Sequence, residues 1–164
     1  MTVVYLLLGS NESNRQHNIK QALRLIALKG CEIVNQSGLY ETEAWGLKEQ
    51  QPFLNQAIAV RTALPPLQLL GTLKSIEKEV GRVETIKWGP RVSDIDILFY
   101  GSSVINEPAL TVPHPFLHQR RFTLAPLSEI APQLLHPVFN KTVALLLQEC
   151  EDTSEVKPAL NLEL

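Results

Sequence analysis

Two stretches of helical period, set among four short runs of strand character, constrain this chain's fold more than anything else in it. "TVVYLLLG" (2–9) is an apolar run that stops at a glycine, as a buried strand does. Ile19, Ala22, Leu23 and Ile26 then recur at helical spacing, with Gly30 as the stop. "CEIVNQSGLYET" (31–42) reads as a second strand. In "FLNQAIAVRT" (53–62), Leu54, Ile58 and Val60 share one side of a third. "PPLQLLGTLKSIEKEVG" opens on proline and closes on Gly81, and Leu69, Leu70, Leu73, Ile76 and Val80 make one helical stripe. The stretch "KWGPRVSDIDILFYG" (87–101) supplies the fourth strand, with Asp94 and Asp96 at its start, and the stretches 43–52 and 82–90 read as loops. The order β-α-β-β-α-β predicts an α+β fold with a ferredoxin-like core, a mainly antiparallel sheet with helices packed on it. Helical additions are expected near Pro126–Ile130 and Thr142–Cys150. One domain is expected over 1–150, followed by a poorly ordered tail over 151–164.

Composition removes several function classes. The chain has 164 residues, 45% hydrophobic and 20% charged, the profile of one soluble domain with a sizeable core. Its longest apolar run, 3–8, falls far short of the roughly 20 residues of a bilayer span. The N-terminus has no basic region followed by a cleavage site, so a cytoplasmic location away from membranes is expected. A net charge of −2 argues against a general polyanion binder. Cys31 and Cys150 are far apart, have no metal-ligand spacing and read as free thiols. Arg82, Lys87, Arg91, Arg120 and Arg121 fall in two short segments that also hold His114 and His118. Such clustering suits a small anionic ligand better than a long nucleic acid.

The sharpest anomaly is Asp94 and Asp96 in an otherwise apolar strand. Aspartate is a poor strand former, and a desolvated carboxylate is costly unless compensated. Alternate residues of a strand face one way, so the two carboxylates share a face, roughly 7 Å apart along the chain. Ile95, Ile97 and Phe99 are expected to point into the core on the other side. A hard cation such as Mg²⁺, bound with substrate phosphates, would offset both desolvation and mutual repulsion. Alternatively, one aspartate caps the preceding loop and the other pairs with an arginine. Arg91, Lys87 and Trp88, just upstream, favour the metal–polyphosphate reading. No G-x-x-x-x-G-K-[ST] or G-x-G-x-x-G occurs, so a nucleotide's phosphates would be held by metal and arginine rather than a glycine cradle.

Seven collinear motifs carry a resemblance to a known family: "LGSN" (8–11), "YETEAWG" (40–46), "PFLNQA" (52–57), "IEKEVGR" (76–82), "WGPRVSDIDILFYG" (88–101), "LTVPHP" (110–115) and "RRFTLAPLSEIAP" (120–132). The chain resembles the 6-hydroxymethyl-7,8-dihydropterin pyrophosphokinases of folate biosynthesis over about residues 2–150. The resemblance implies transfer of pyrophosphate from ATP to the pterin's hydroxymethyl oxygen, with release of AMP. It implies two Mg²⁺ ions on Asp94 and Asp96, and phosphate contacts from Arg82, Arg91, His114 and Arg120. Glu77, Lys87 and Trp88 are expected to complete the ATP site. For the pterin it implies Phe53 and Phe122 as a stacking pair, Asn55 as the polar reader, and Thr42 and Trp45 beside them. His118 is read as structural and Arg121 as a surface charge. The chain departs from the family in Phe53, where tyrosine is frequent, in Pro115, and in Glu84 and Thr85, where a second basic residue is usual. Lys87 is the expected substitute. A monomer that binds these two small molecules is expected.

Two other classes fit parts of the pattern. An RNA-recognition module shares the topology, but it needs stacking aromatics on its central strands, and none occur in that pattern here. Other metal-dependent transferases also use D-x-D; they differ in releasing ADP or free pyrophosphate rather than AMP.

Overall fold

The first strand, β1 (Thr2–Ser10), is apolar from Val3 to Leu8 and is buried on both faces from Leu6 onward. In the computed structural model, which describes residues 1–43, 50–81 and 91–159, it is followed by α1 (Arg15–Leu28), β2 (Cys31–Gln36), β3 (Tyr40–Thr42) and β4 (Phe53–Thr62). Then come α2 (Pro66–Val80), β5 (Asp94–Tyr100), a small hairpin of β6 (Ile105–Asn106) and β7 (Thr111–Val112), α3 (Arg121–Ile130), α4 (Val143–Glu149) and β8 (Val156–Pro158). The main sheet runs β5-β1-β4-β3-β8, with β2 also paired to β4. Its ladders are antiparallel. This is the expected ferredoxin-like order, the fourth strand of the motif beside the first and the third beside the second.

Alternation divides the core in two. Val4, Leu6 and Leu8 of β1, Leu54, Ile58 and Val60 of β4, and Ile95 and Ile97 of β5 pack under α1 and α2. Leu7 and Ala57 lie on the opposite face, under Leu124 and Leu127 of α3 and Val143 and Leu146 of α4. The C-terminal helices therefore roof the second face of the sheet. Local signals set the helix ends. Asn14 Oδ1 accepts the His17 N–H at 3.0 Å, Pro66 starts α2, and Gly81 ends it at φ 121°.

Four expectations change. Phe99 does not face with Ile95 and Ile97: the register with β1 shifts between Ile97 and Phe99, a bulge that turns Phe99 into the α3/α4 core, edge-on to Tyr5. The expected strand 31–42 is two strands, because Ser37 interrupts it. Ser37 N–H donates to Ala57 O at 2.8 Å and its Oγ accepts the Ala57 N–H at 3.0 Å. Helix α3 begins at Arg121, five residues before Pro126. The tail, expected to be poorly ordered, instead forms β8 at Val156–Pro158, paired with β3.

Candidate active site

The strand register assembles one polar patch on the α3 side of the sheet. Asp96 lies opposite Leu7 and Asp94 opposite Gly9. Gly9 in turn lies opposite Asn55, which pairs with Tyr40, while Phe53 pairs with Thr42. Because opposed residues in a ladder share a face, Asp94, Asp96, Asn55, Phe53 and Thr42 all look toward the helices that cover Leu7 and Ala57. The two aspartates are half-buried, while Asn55 and Thr42 are buried at 4% and 5% exposure.

Asn55 leaves one buried acceptor of this patch unmatched. Its Nδ2 donates to the Leu8 carbonyl at 3.3 Å, and its Oδ1 is shielded from solvent without a hydrogen-bond partner. A buried, unmatched amide oxygen costs about 1–3 kcal/mol, and a donor on a bound ligand would recover it. Gly9 makes room for this side chain: a Cβ there would stand 2.7 Å from Asn55 Nδ2.

A second buried asparagine ties Gln50 and Gln51 to Arg91. Asn11, 2% exposed, donates from Nδ2 to Gln50 Oε1 at 2.9 Å and to the Gln51 carbonyl at 3.2 Å. Its Oδ1 accepts the Arg91 N–H at 2.7 Å, and its own N–H donates to the Arg91 carbonyl at 2.9 Å. Arg91, half-buried, is thereby fixed by its backbone three residues before Asp94.

Glu77, expected at the ATP site, is held under the strand that carries the aspartates. It is 5% exposed, and its Oε2 accepts the Ile95 N–H at 2.8 Å. It supports the start of β5 from α2, between the two aspartates in sequence.

The segment before α3 brings several expected residues together. The Arg120 guanidinium carbon lies 5.6 Å from the Phe122 ring centre and 5.2 Å from that of Phe116. His114 meets Phe116 edge-on at 6.1 Å, and its Nδ1 accepts the Phe116 N–H at 3.2 Å. Burial, and then the Arg120 charge, push the His114 pKa down to about 4. At neutral pH this imidazole is uncharged. The adjacent guanidinium supplies the positive charge. His118 sits edge-on to Phe139 at 4.7 Å, and Arg121 is exposed. Trp45, Arg82, Lys87 and Trp88 lie outside the described residues.

The donor set fits a hard cation shared with phosphate. Among the described residues, no group of three or more His, Cys, Asp or Glu converges to hold a metal by itself. Mg²⁺ is typically bound by one or two carboxylates, with substrate phosphates and water filling its shell.

Comparison with known proteins decides the family. The family model of 7,8-dihydro-6-hydroxymethylpterin-pyrophosphokinase (HPPK) matches residues 5–132. The chain belongs to the HPPK family. It is 44% identical over 158 residues to the 2-amino-4-hydroxy-6-hydroxymethyldihydropteridine pyrophosphokinase of Aquifex aeolicus, covering 96% of both chains. It is 40% identical over 133 residues to the Bacillus subtilis protein of the same name, covering 80% of each. In fold it is similar to the crystal structure of Plasmodium falciparum HPPK-DHPS, with a TM-score of 0.74 at 20% identity; the match covers 91% of this chain and 43% of that one. HPPK activity is pyrophosphoryl transfer from ATP to hydroxymethyldihydropterin in folate synthesis, and this chain is such a pyrophosphokinase. No helix among the described residues is long and apolar enough to cross a membrane.

Sequence reasoning gave no role to Gly9, Asn11 or Asp152. Gly9 and Asn11 stand in "LGSN", a motif that carried the HPPK resemblance without a stated job for either residue. Their partners are 39 or more residues away, so no local pattern could have named them. Asp152 caps a helix 31 residues upstream through the Arg121 N–H.

Proposed function

We propose that Asp94 and Asp96 hold two Mg²⁺ ions against the ATP phosphates while Asn55, Phe53, Phe122, Thr42 and Trp45 hold the pterin alongside. The single observation behind this reading is the sheet face shared by the aspartate pair and the unmatched Asn55 oxygen. When bound, the ions would neutralise phosphate charge and make the pterin hydroxyl more acidic.

The chain's own residues then have separable tasks. Arg91, Arg82 and Arg120 grip phosphate oxygens as permanent charges. His114, neutral in the free protein, contributes a hydrogen bond to ATP. Lys87 and Trp88 complete the nucleotide site, and Glu77 serves it through the strand that carries the aspartates. Asn55 Oδ1 accepts from the pterin's amino group, and the two phenylalanines sandwich its ring. Asp96 assists removal of the hydroxymethyl proton as the oxygen attacks the β-phosphorus in line with the leaving AMP. Catalysis here is chiefly alignment and charge stabilisation. The reading keeps the enzyme monomeric and cytoplasmic, and the free Cys31 and Cys150 support a reducing location.

Product analysis tests this. With ATP, Mg²⁺ and 6-hydroxymethyl-7,8-dihydropterin, AMP should accumulate in equal amount to the pterin diphosphate, and chelation of Mg²⁺ should stop it. ADP or free pyrophosphate as the nucleotide's partner product would contradict the reading.

A further inference from the structure

The C-terminal segment fastens two walls of the pterin site. Helix α3 has no side-chain cap of its own, since its N-cap residue is Arg120. The missing acceptor comes from the tail: Asp152 Oδ2 accepts the Arg121 N–H at 3.0 Å. The other carboxylate oxygen is held by Ser154, whose N–H donates to Oδ1 at 2.9 Å and whose hydroxyl donates at 2.6 Å. Burial works to raise the Asp152 carboxyl, but the Ser154 bonds, then the Arg121 N–H and charge, hold it below its ordinary range. It is therefore ionised at neutral pH and suited to the positive end of a helix.

From Ser154 the chain continues directly into β8. There Val156 pairs with Thr42, and Thr42 pairs with Phe53. At the far end of α3, Glu129 accepts the Gly38 N–H at 3.0 Å and the Tyr40 hydroxyl proton, closing the circuit back to β3. Phe122 is the residue after Arg121. Strand pairing, the backbone of the tail and the Asp152 cap thus link Phe53 through Thr42 and Val156 to the start of α3, where Phe122 stands.

We infer that Asp152 is a positioning residue for pterin binding, acting through the capped start of α3 to hold Phe122 at stacking distance from Phe53. The inference rests on the reading of Phe122 as a stacking residue. A double-mutant cycle separates the two. Dissociation constants for 6-hydroxymethyl-7,8-dihydropterin are measured for the full-length wild type, Asp152→Ala, Phe122→Ala and the double variant, together with steady-state kinetics.

Asp152→Ala should raise the pterin Kd and KM about fivefold while kcat stays within about threefold. Phe122→Ala should raise Kd at least as much, and the double variant should bind no worse than Phe122→Ala alone. Asp152→Asn has one acceptor oxygen instead of two. It should fall between wild type and alanine, and it carries the cycle if the alanine variant does not fold. An unchanged Kd in the Asp152 variants, or losses that multiply in the double variant, would overturn the positioning role while leaving the stacking role standing. An unchanged Kd in Phe122→Ala would overturn both.

Discussion

Asp96→Ala is expected to lower turnover by about a thousandfold or more, at the upper end of what losing one transition-state stabiliser costs. The substitution removes half of the carboxylate pair on the α3 face of β5. It leaves untouched the packing of that strand, which comes from Ile95 and Ile97 on one side and Leu98 and Phe99 on the other. The thermal midpoint should accordingly stay within a few degrees of wild type. Steady-state turnover at saturating ATP, pterin and Mg²⁺, with a melting curve on the same preparation, checks this. Wild-type turnover in a folded Asp96→Ala protein would remove the metal assignment.

Gly9→Ala should raise the pterin Kd about 10- to 100-fold and leave ATP affinity within about threefold. The added methyl would sit 2.7 Å from Asn55 Nδ2 and 3.7 Å from Phe53 Cδ1. A methyl carbon is not tolerated that close to an amide nitrogen, so the Asn55 amide has to swing away from the Leu8 carbonyl and from the ligand. The expected size follows from one or two buried hydrogen bonds at about 1–3 kcal/mol, with 1.4 kcal/mol for each tenfold. Gly9 lies in a regular strand with no positive φ, so alanine there meets no backbone penalty and the fold should survive. Titration calorimetry with each ligand gives the answer. Unchanged pterin affinity, or an equal loss for ATP, would show that Asn55 does not read the pterin from this position.

What could be read in advance follows the range of the forces involved. Helices α1 and α2 are written in their own residues, in the apolar stripes, in the glycine stops Gly30 and Gly81 and in the prolines that open α2. The aspartate pair was legible because a period of two needs only three consecutive residues. Features that depend on pairing between distant segments were not. The turn of Phe99 comes from a bulge against β1, and the break at Ser37 from bonds to β4. The early start of α3 is the clearest case. Pro126 looks like a first helical position, yet the helix starts at Arg121, whose N–H is met by the distant Asp152. Glu77 carried a polar signal at an exposed-looking helix position, yet it is buried to support Ile95. In the site, residue types at motif positions pointed to the chemistry. Their mutual geometry came from the register: Asp94 opposite Gly9, and Gly9 opposite Asn55.

The most direct test of the account is anomalous diffraction from crystals of the protein with Mn²⁺ in place of Mg²⁺, a non-hydrolysable ATP analogue and the pterin. Two anomalous peaks, each bonded to oxygens of Asp94 or Asp96 and to the triphosphate, are the expected result. Peaks bonded only to the triphosphate, with both aspartates turned to arginine or backbone partners, would contradict it.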